Sequence, residues 1–335
     1  MDPFEFARVS SFLTRLAWYS TRPISDPEVR EFEERTTAGT MVDIYQHRRK
    51  SLATWIAVHG VTVNGRKDSR LMNFARSLAH FGVTCLVPSL PGLTSCRWET
   101  GDLDELGQVV TIALEKYQQS VGLIGFSYGG SYSLLVASRK ELSAHVHCVV
   151  TFGAYHNLKD VFESHIKSLD SEPQSDDEWD ETIYQRLVFL YAHDDPTLIP
   201  PAVKSEMLTL LKRYCDVANM AEKLQFYQRH LHHLKLAPLT KHLLSLEVLP
   251  QLSPAGNIRT LTCPVALIHD RYDRAIAPIH AERLFAELQT TPLAKRHKLV
   301  VTSLLSHVSP AHVLKIGELI RILHALAPIL HAPDR

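Results

Sequence analysis

The chain has no excess of charge of either sign: 36 lysines and arginines stand against 36 aspartates and glutamates. That balance excludes a global electrostatic pull toward nucleic acid or an anionic membrane, since such binding needs a surplus of basic side chains. The chain also lacks a cysteine framework. Cys85, Cys96, Cys148, Cys215 and Cys263 are scattered, odd in number and without a CxxC pair, which argues against a disulfide scaffold and a zinc site. Cys85, Cys148 and Cys263 lie in or beside apolar runs and read as small buried hydrophobes; a reducing, cytoplasmic setting fits them. No run of 18 apolar residues is present, so no segment reads as a membrane span. The opening stretch MDPFEFARVSSFLTRLAWYS has an early acid, no long apolar centre and no clear cleavage site, and so lacks a secretory pattern. Internal repeats and low-complexity tracts are missing too.

What is present is material for a core. The 335 residues are 45% hydrophobic and 21% charged, ordinary for a globular protein that buries a large interior. Phe6, Phe12, Leu13, Leu16 and Trp18 fall on one face of a short helix. That face is expected to pack on the body of the protein; weak contact with a membrane surface is the competing expectation. With no net charge, the expected partner is a small neutral or weakly charged molecule.

From about residue 40 to 155, short apolar runs alternate with helical stretches. MVDIYQH reads as an opening strand, LATWIAV (52–58) as a buried strand, 68–81 as a helix, VTCLVP (83–88) as a strand and 102–118 as a helix. VGLIGF (121–126) is a strand that breaks into a helix near Tyr128, and HCVVTF (147–152) is the next strand. Strands alternating with helices of 10–15 residues imply βαβ units and a parallel sheet. The rhythm stops between about 157 and 258. Residues 170–181 hold seven acids and no base, and read as a solvated loop. Helical segments follow around 182–194, 201–215, 217–235 and 238–247. The sheet pattern resumes at PVALIH (264–269), then a helix at 278–289, a strand at 297–302 and a helix at 310–325. The expected fold is α/β: a mostly parallel sheet flanked by helices, with an inserted all-helical cap. Residues 1–156 form the first part of the core (1–38 an N-terminal extension), 157–258 the cap and 259–335 the second part.

The strongest chemical signal is Gly125-Phe126-Ser127-Tyr128-Gly129, of the form G-x-S-x-G, between a strand and a helix. A serine on so sharp a turn projects beyond the sheet edge, and Gly125 and Gly129 keep side chains out of the turn. The following helix points its N-terminus at the site, where developing negative charge is favoured. The competing reading is a serine in a glycine-rich turn that merely packs. A serine hydroxyl needs a base and a group to hold that base. Asp273, in the loop after the 264–269 strand, and His307, in the loop after the 297–302 strand, stand in the chain order Ser, acid, His. Asp270 is the rival acid; it sits directly against its strand, whereas the acid needs a few loop residues to reach the histidine. His230, His232 and His233 are crowded on one helix and make no persuasive metal site, and His312 reads as structural. Two donors are needed for an oxyanion. The backbone N–H of Tyr128 is one; the N–H of Val61, after His59-Gly60, is the other, with Thr62 as the near alternative. His59 reads as a brace for that loop.

AVHGV (57–61), LVPSLPG (86–92), GLIGFSYGG (122–130), ALIHDRYD (266–273) and SHVSP (306–310) together make the chain resemble the α/β-hydrolase superfamily, in its esterase and lipase branch. The resemblance covers about 40–155 and 260–330, and implies a triad in that order beneath a cap. Two positions depart from it: Ser89 stands where the family often has Asp, and Asp270 where it often has Gly. The resemblance implies that Trp179, Tyr184, Phe189, Tyr191, Phe226 and Tyr227 of the cap are candidates to face a substrate, against the plainer reading that they pack the cap on the core. The activity expected is cleavage of a carboxylic ester through an acyl-enzyme. Thioester cleavage, acyl transfer on the same triad and a non-catalytic binding module are the alternatives. No metal or organic cofactor is called for.

Overall fold

The computed structural model describes residues 7, 10–12, 14, 15, 26–49, 51–169, 176–192, 196, 197, 199–213, 220–232, 236, 240–310 and 315–327. Eight strands form one sheet: β1 (Val29–Arg35), β2 (Met41–His47), β3 (Ala53–Val58), β4 (Val83–Pro88), β5 (Val121–Phe126), β6 (Val146–Phe152), β7 (Val265–Asp270) and β8 (Lys298–Thr302). Their order is β1-β2-β4-β3-β5-β6-β7-β8. The pairs β1–β2 and β2–β4 are antiparallel and the rest are parallel.

Strand composition explains the layering. Side chains alternate across a strand, and in β3 Ile56 and Val58 join one core while Trp55 and Ala57 join the other. In β5 and β6, Leu123 and Val149 face the first, Ile124 and Val150 the second. Both faces must therefore be covered. Helices α1 (Ser69–His80) and α9 (Ile316–Leu326) supply one layer. Helices α2 (Gly101–Tyr117), α3 (Tyr128–Ala137) and α8 (Ile279–Leu288) supply the other. Helix α1 starts where Asp68 accepts the Arg70 N–H, and it buries Leu71, Phe74, Ala75, Leu78 and Ala79 at helical spacing. Helix α3 is buried at all ten positions; it has no charged side chain, and the hydroxyls of Ser131 and Ser133 donate to the Tyr155 and Gly129 carbonyls.

Between β6 and β7 lie α4 (Leu158–Leu169), α5 (Asp176–Tyr191), α6 (Pro201–Arg213) and α7 (Met220–His230), then a 3-10 turn at Lys241–Ser245. Two departures from the sequence reading stand out. Residues 29–35, assigned to an N-terminal extension, are instead β1 of the sheet. VREFEER has mostly exposed side chains, as suits an edge strand, so no apolar run marks it. The acidic stretch, read as a loop through 181, turns helical at Asp176; acids in a first turn are favoured by the helix dipole. The structure buries Cys85, Cys148 and Cys263 as expected, and Cys96 with them.

Of the N-terminal apolar set, Phe12 is fully buried, edge-on to Phe74 (5.7 Å) and Phe81 (6.0 Å). Phe6, Leu13, Leu16 and Trp18 lie outside the described residues, as does His312. No helix among the described residues is long and apolar enough to cross a membrane.

Strand order places the site. From β3 the chain turns to β4 on one side and later to β5 on the other. A crevice therefore opens beyond the carboxyl ends of β3 and β5, where open α/β sheets bind ligands.

Candidate active site

Ser127 follows β5 at that crevice with φ 53° and ψ −124°, a conformation rarely adopted by a residue with a side chain. Neighbouring backbone holds it there: its N–H donates to the Phe152 carbonyl (2.7 Å) and its carbonyl accepts the Gly130 N–H (2.9 Å). The flanking glycines are dictated by space. A Cβ on Gly125 would fall 2.3 Å from the Gly129 carbonyl oxygen, and one on Gly129 would fall 2.3 Å from the His59 carbonyl oxygen. The turn and the end of β3 thus press backbone against backbone.

Asp273 and His307 come together. His307 Nδ1 lies 2.7 Å from Asp273 Oδ2, the histidine side chain 24% exposed and the carboxylate fully buried. Burial alone would raise the Asp273 pKa. The charge of His307, with hydrogen bonds from His269 and His307, outweighs burial and holds the carboxyl well below the usual carboxylate range. Its other oxygen accepts the Ile276 N–H (2.8 Å). A carboxylate can only accept, so when the ring is neutral Nδ1 carries the proton and Nε2 the lone pair. The same loop edge adjoins the serine turn. A Cβ on Gly153, the residue after Phe152, would lie 3.2 Å from His307 Cε1.

Asp270, the rival acid, has a different task. Its two oxygens accept the N–H groups of Tyr272 and His307, each at 3.0 Å. It binds the histidine's backbone, not the ring, and ties the loop after β7 to the loop after β8. Glu318 anchors the start of that second loop by accepting the Ser303 N–H (2.7 Å) and the Thr302 hydroxyl (2.8 Å). Neither tie carries a sequence signal, because each joins distant segments.

His59 is buried and braces its loop. The Leu90 N–H donates to Nε2 (3.3 Å), which puts the proton on Nδ1, and Nδ1 donates to the Gly60 carbonyl (2.8 Å). Burial lowers its pKa, so the ring is neutral. Gly60 sits against the nucleophile: an added Cβ would lie 3.0 Å from both Ser127 Cβ and the Phe126 carbonyl oxygen. Val61 follows this contact in the chain, and Tyr128 follows Ser127 itself.

An aromatic wall stands over Tyr128. Its ring packs on Tyr155 (5.1 Å) and Trp98 (6.5 Å), and Trp98 packs on Phe162 (4.7 Å) and Phe189 (5.6 Å). Phe189 is thus a packing residue, and Phe226 is buried against His230. Tyr227 lies under the Arg186 guanidinium, and Tyr191 under the Lys204 ammonium. Tyr184 reaches the Val61 carbonyl. The side chain of Trp179 lies outside the described set. His165, from α4, donates through Nε2 to the Ala275 carbonyl in the acid loop. No cluster of three metal-binding side chains occurs among the described residues.

Comparison with known proteins agrees with the fold. A model of the alpha/beta hydrolase family matches residues 56–312. No curated protein sequence matches the chain significantly. Among solved structures, the chain is similar to an esterase from Pyrococcus furiosus, at 14% identity over 90% of this chain and 91% of that one, with a TM-score of 0.51. It is also similar to a puromycin-hydrolyzing peptidase from Mycobacterium tuberculosis, at 12% identity over 91% of this chain and 40% of that one, with a TM-score of 0.53. At these identities the likeness is one of fold.

Proposed function

The chain belongs to the alpha/beta hydrolase family, and from that premise we propose that it is a serine hydrolase cleaving a carboxylic ester through an acyl-enzyme. The observation that carries this reading is the 2.7 Å pairing of His307 Nδ1 with buried Asp273, beside a serine on a strained strand-to-helix turn. In the first step, Ser127 Oγ attacks the ester carbonyl while His307 Nε2 takes its proton. Asp273 keeps the ring in the tautomer that exposes that lone pair and stabilises the cation that forms. The N–H groups of Tyr128 and Val61 hold the tetrahedral oxyanion at the N-terminus of α3. His307 returns the proton to the departing alcohol. Water then attacks the acyl-enzyme by the same route, and the acid product leaves Ser127 free. Residues 157–258 act as the cap in this reading, excluding water and so strengthening the electrostatics beneath it.

The test is hydrolysis of p-nitrophenyl esters from acetate to long-chain acyl by wild type and Ser127→Ala. The expected outcome is turnover by wild type and a rate about 10⁶-fold lower in the variant. The best chain length then reports the room beneath the cap. Equal rates in both proteins remove Ser127 from the mechanism.

A further inference from the structure

The loop after β3 carries a contact that spans 123 positions of chain. The hydroxyl of Tyr184, on α5, donates to the Val61 carbonyl at 2.7 Å. One peptide earlier, His59 Nδ1 donates to the Gly60 carbonyl at 2.8 Å. A peptide unit is planar, so holding its carbonyl fixes the direction of its N–H. The Gly60 carbonyl shares a plane with the Val61 N–H, and the Val61 carbonyl shares one with the Thr62 N–H. The two soft torsions between those planes belong to Val61, and both planes are pinned. Downstream, the Thr62 carbonyl accepts the Gly65 N–H (3.0 Å), and Asn64 Nδ2 donates to the Lys212 carbonyl of α6 (2.9 Å). The loop is therefore tied twice to the helices between β6 and β7.

We propose that Tyr184 is a positioning residue whose hydroxyl locks the backbone at Val61, keeping the oxyanion donors of that loop aimed at a carbonyl on Ser127. The inference rests on the serine-hydrolase reading above. A hydrogen bond to the Val61 carbonyl also polarises the peptide and strengthens the Thr62 N–H as a donor. Because Tyr184 stands on a helix outside the sheet, the donors are in place only while that helix is seated. Donors of this kind act on charge that develops in the transition state. Loosening them slows the chemical step and spares ground-state binding.

Tyr184→Phe removes the hydroxyl and leaves the ring. The experiment measures inactivation of wild type, Ser127→Ala and Tyr184→Phe by a fluorophosphonate probe, with the unfolding temperature of each. Phosphonylation places a phosphoryl oxygen against the same donors and needs no knowledge of the ester. The maximal rate for Tyr184→Phe is expected to fall about 10- to 100-fold, with the half-saturating probe concentration and unfolding temperature unchanged. A wild-type rate in Tyr184→Phe overturns the positioning role and leaves Ser127 as the nucleophile. A slower rate matched by a lower unfolding temperature assigns the hydroxyl to stability and also overturns it. Wild type that does not react at Ser127 overturns both readings.

Discussion

Two carboxylates three residues apart do different work because they face different partners. Asp273 meets the His307 ring, whereas Asp270 meets the His307 backbone. Asp273→Asn keeps the shape but favours the wrong imidazole tautomer, so kcat is expected to fall roughly 10⁴-fold. Asp270→Asn leaves the ring's partner in place and loses one of two backbone acceptors; a fall of about 10-fold in kcat/KM is expected for so indirect a displacement. Steady-state kinetics on a common ester rank the two. Equal losses, or the reverse order, contradict the assignment. From sequence, order and loop position favoured Asp273, but a three-residue offset could not reveal which oxygen meets the ring. The Tyr184 contact was further out of reach, because nothing in a helical pattern states where a distant hydroxyl lands.

The elements differ in how openly the sequence announces them. Strands β3 to β7 are buried on both faces, so their apolar runs are almost continuous, and reading placed them to within about a residue. Strand β1 escaped because its glutamates serve exposed ion pairs, such as Arg76 with Glu31, instead of a core. Helix α4 was missed although Leu158, Val161, Phe162, His165 and Leu169 fall on one helical face; charged residues between them broke the impression of a run. The tight turn around Ser127 was readable because only glycine fits there. Gly125→Ala and Gly129→Ala place a Cβ 2.3 Å from backbone oxygen, and each is expected to cost more than about 4 kcal/mol. Gly101→Ala, at the start of α2 with nothing within 4 Å of the new Cβ, is expected to stabilise by about 0.5 kcal/mol. Urea unfolding of the three variants checks the contrast. A tolerated Gly129→Ala would mean that the turn is not packed as described.

Over the whole molecule, neutral composition conceals a pH liability. Burial lowers the pKa values of His147, His165 and His280 to about 4 in the fold. In the unfolded chain a histidine titrates near 6.5. Between those values the unfolded state binds more protons, so the stability these residues confer is full above about 6.5 and is lost as pH falls toward 4. Each contributes up to ~1.4 kcal/mol per pH unit across that window. The urea midpoint is expected to drop clearly between pH 7.5 and pH 5. A midpoint that stays level would contradict the burial of these rings. The mostly parallel sheet and the loops that follow its strands were readable from apolar runs and their spacing; the strand order that opens the crevice came from the structure. The burial of particular histidines was not, because each depends on which segments close over it.

The central claim is that Ser127 is a nucleophile made reactive by His307. It is tested most directly by treating wild type, Ser127→Ala and His307→Ala with a fluorophosphonate and locating the adduct by peptide mass spectrometry. The account predicts one adduct, on the peptide bearing Ser127, absent from Ser127→Ala and formed far more slowly in His307→Ala. An adduct on another residue, or labelling of Ser127 that ignores His307, would contradict it.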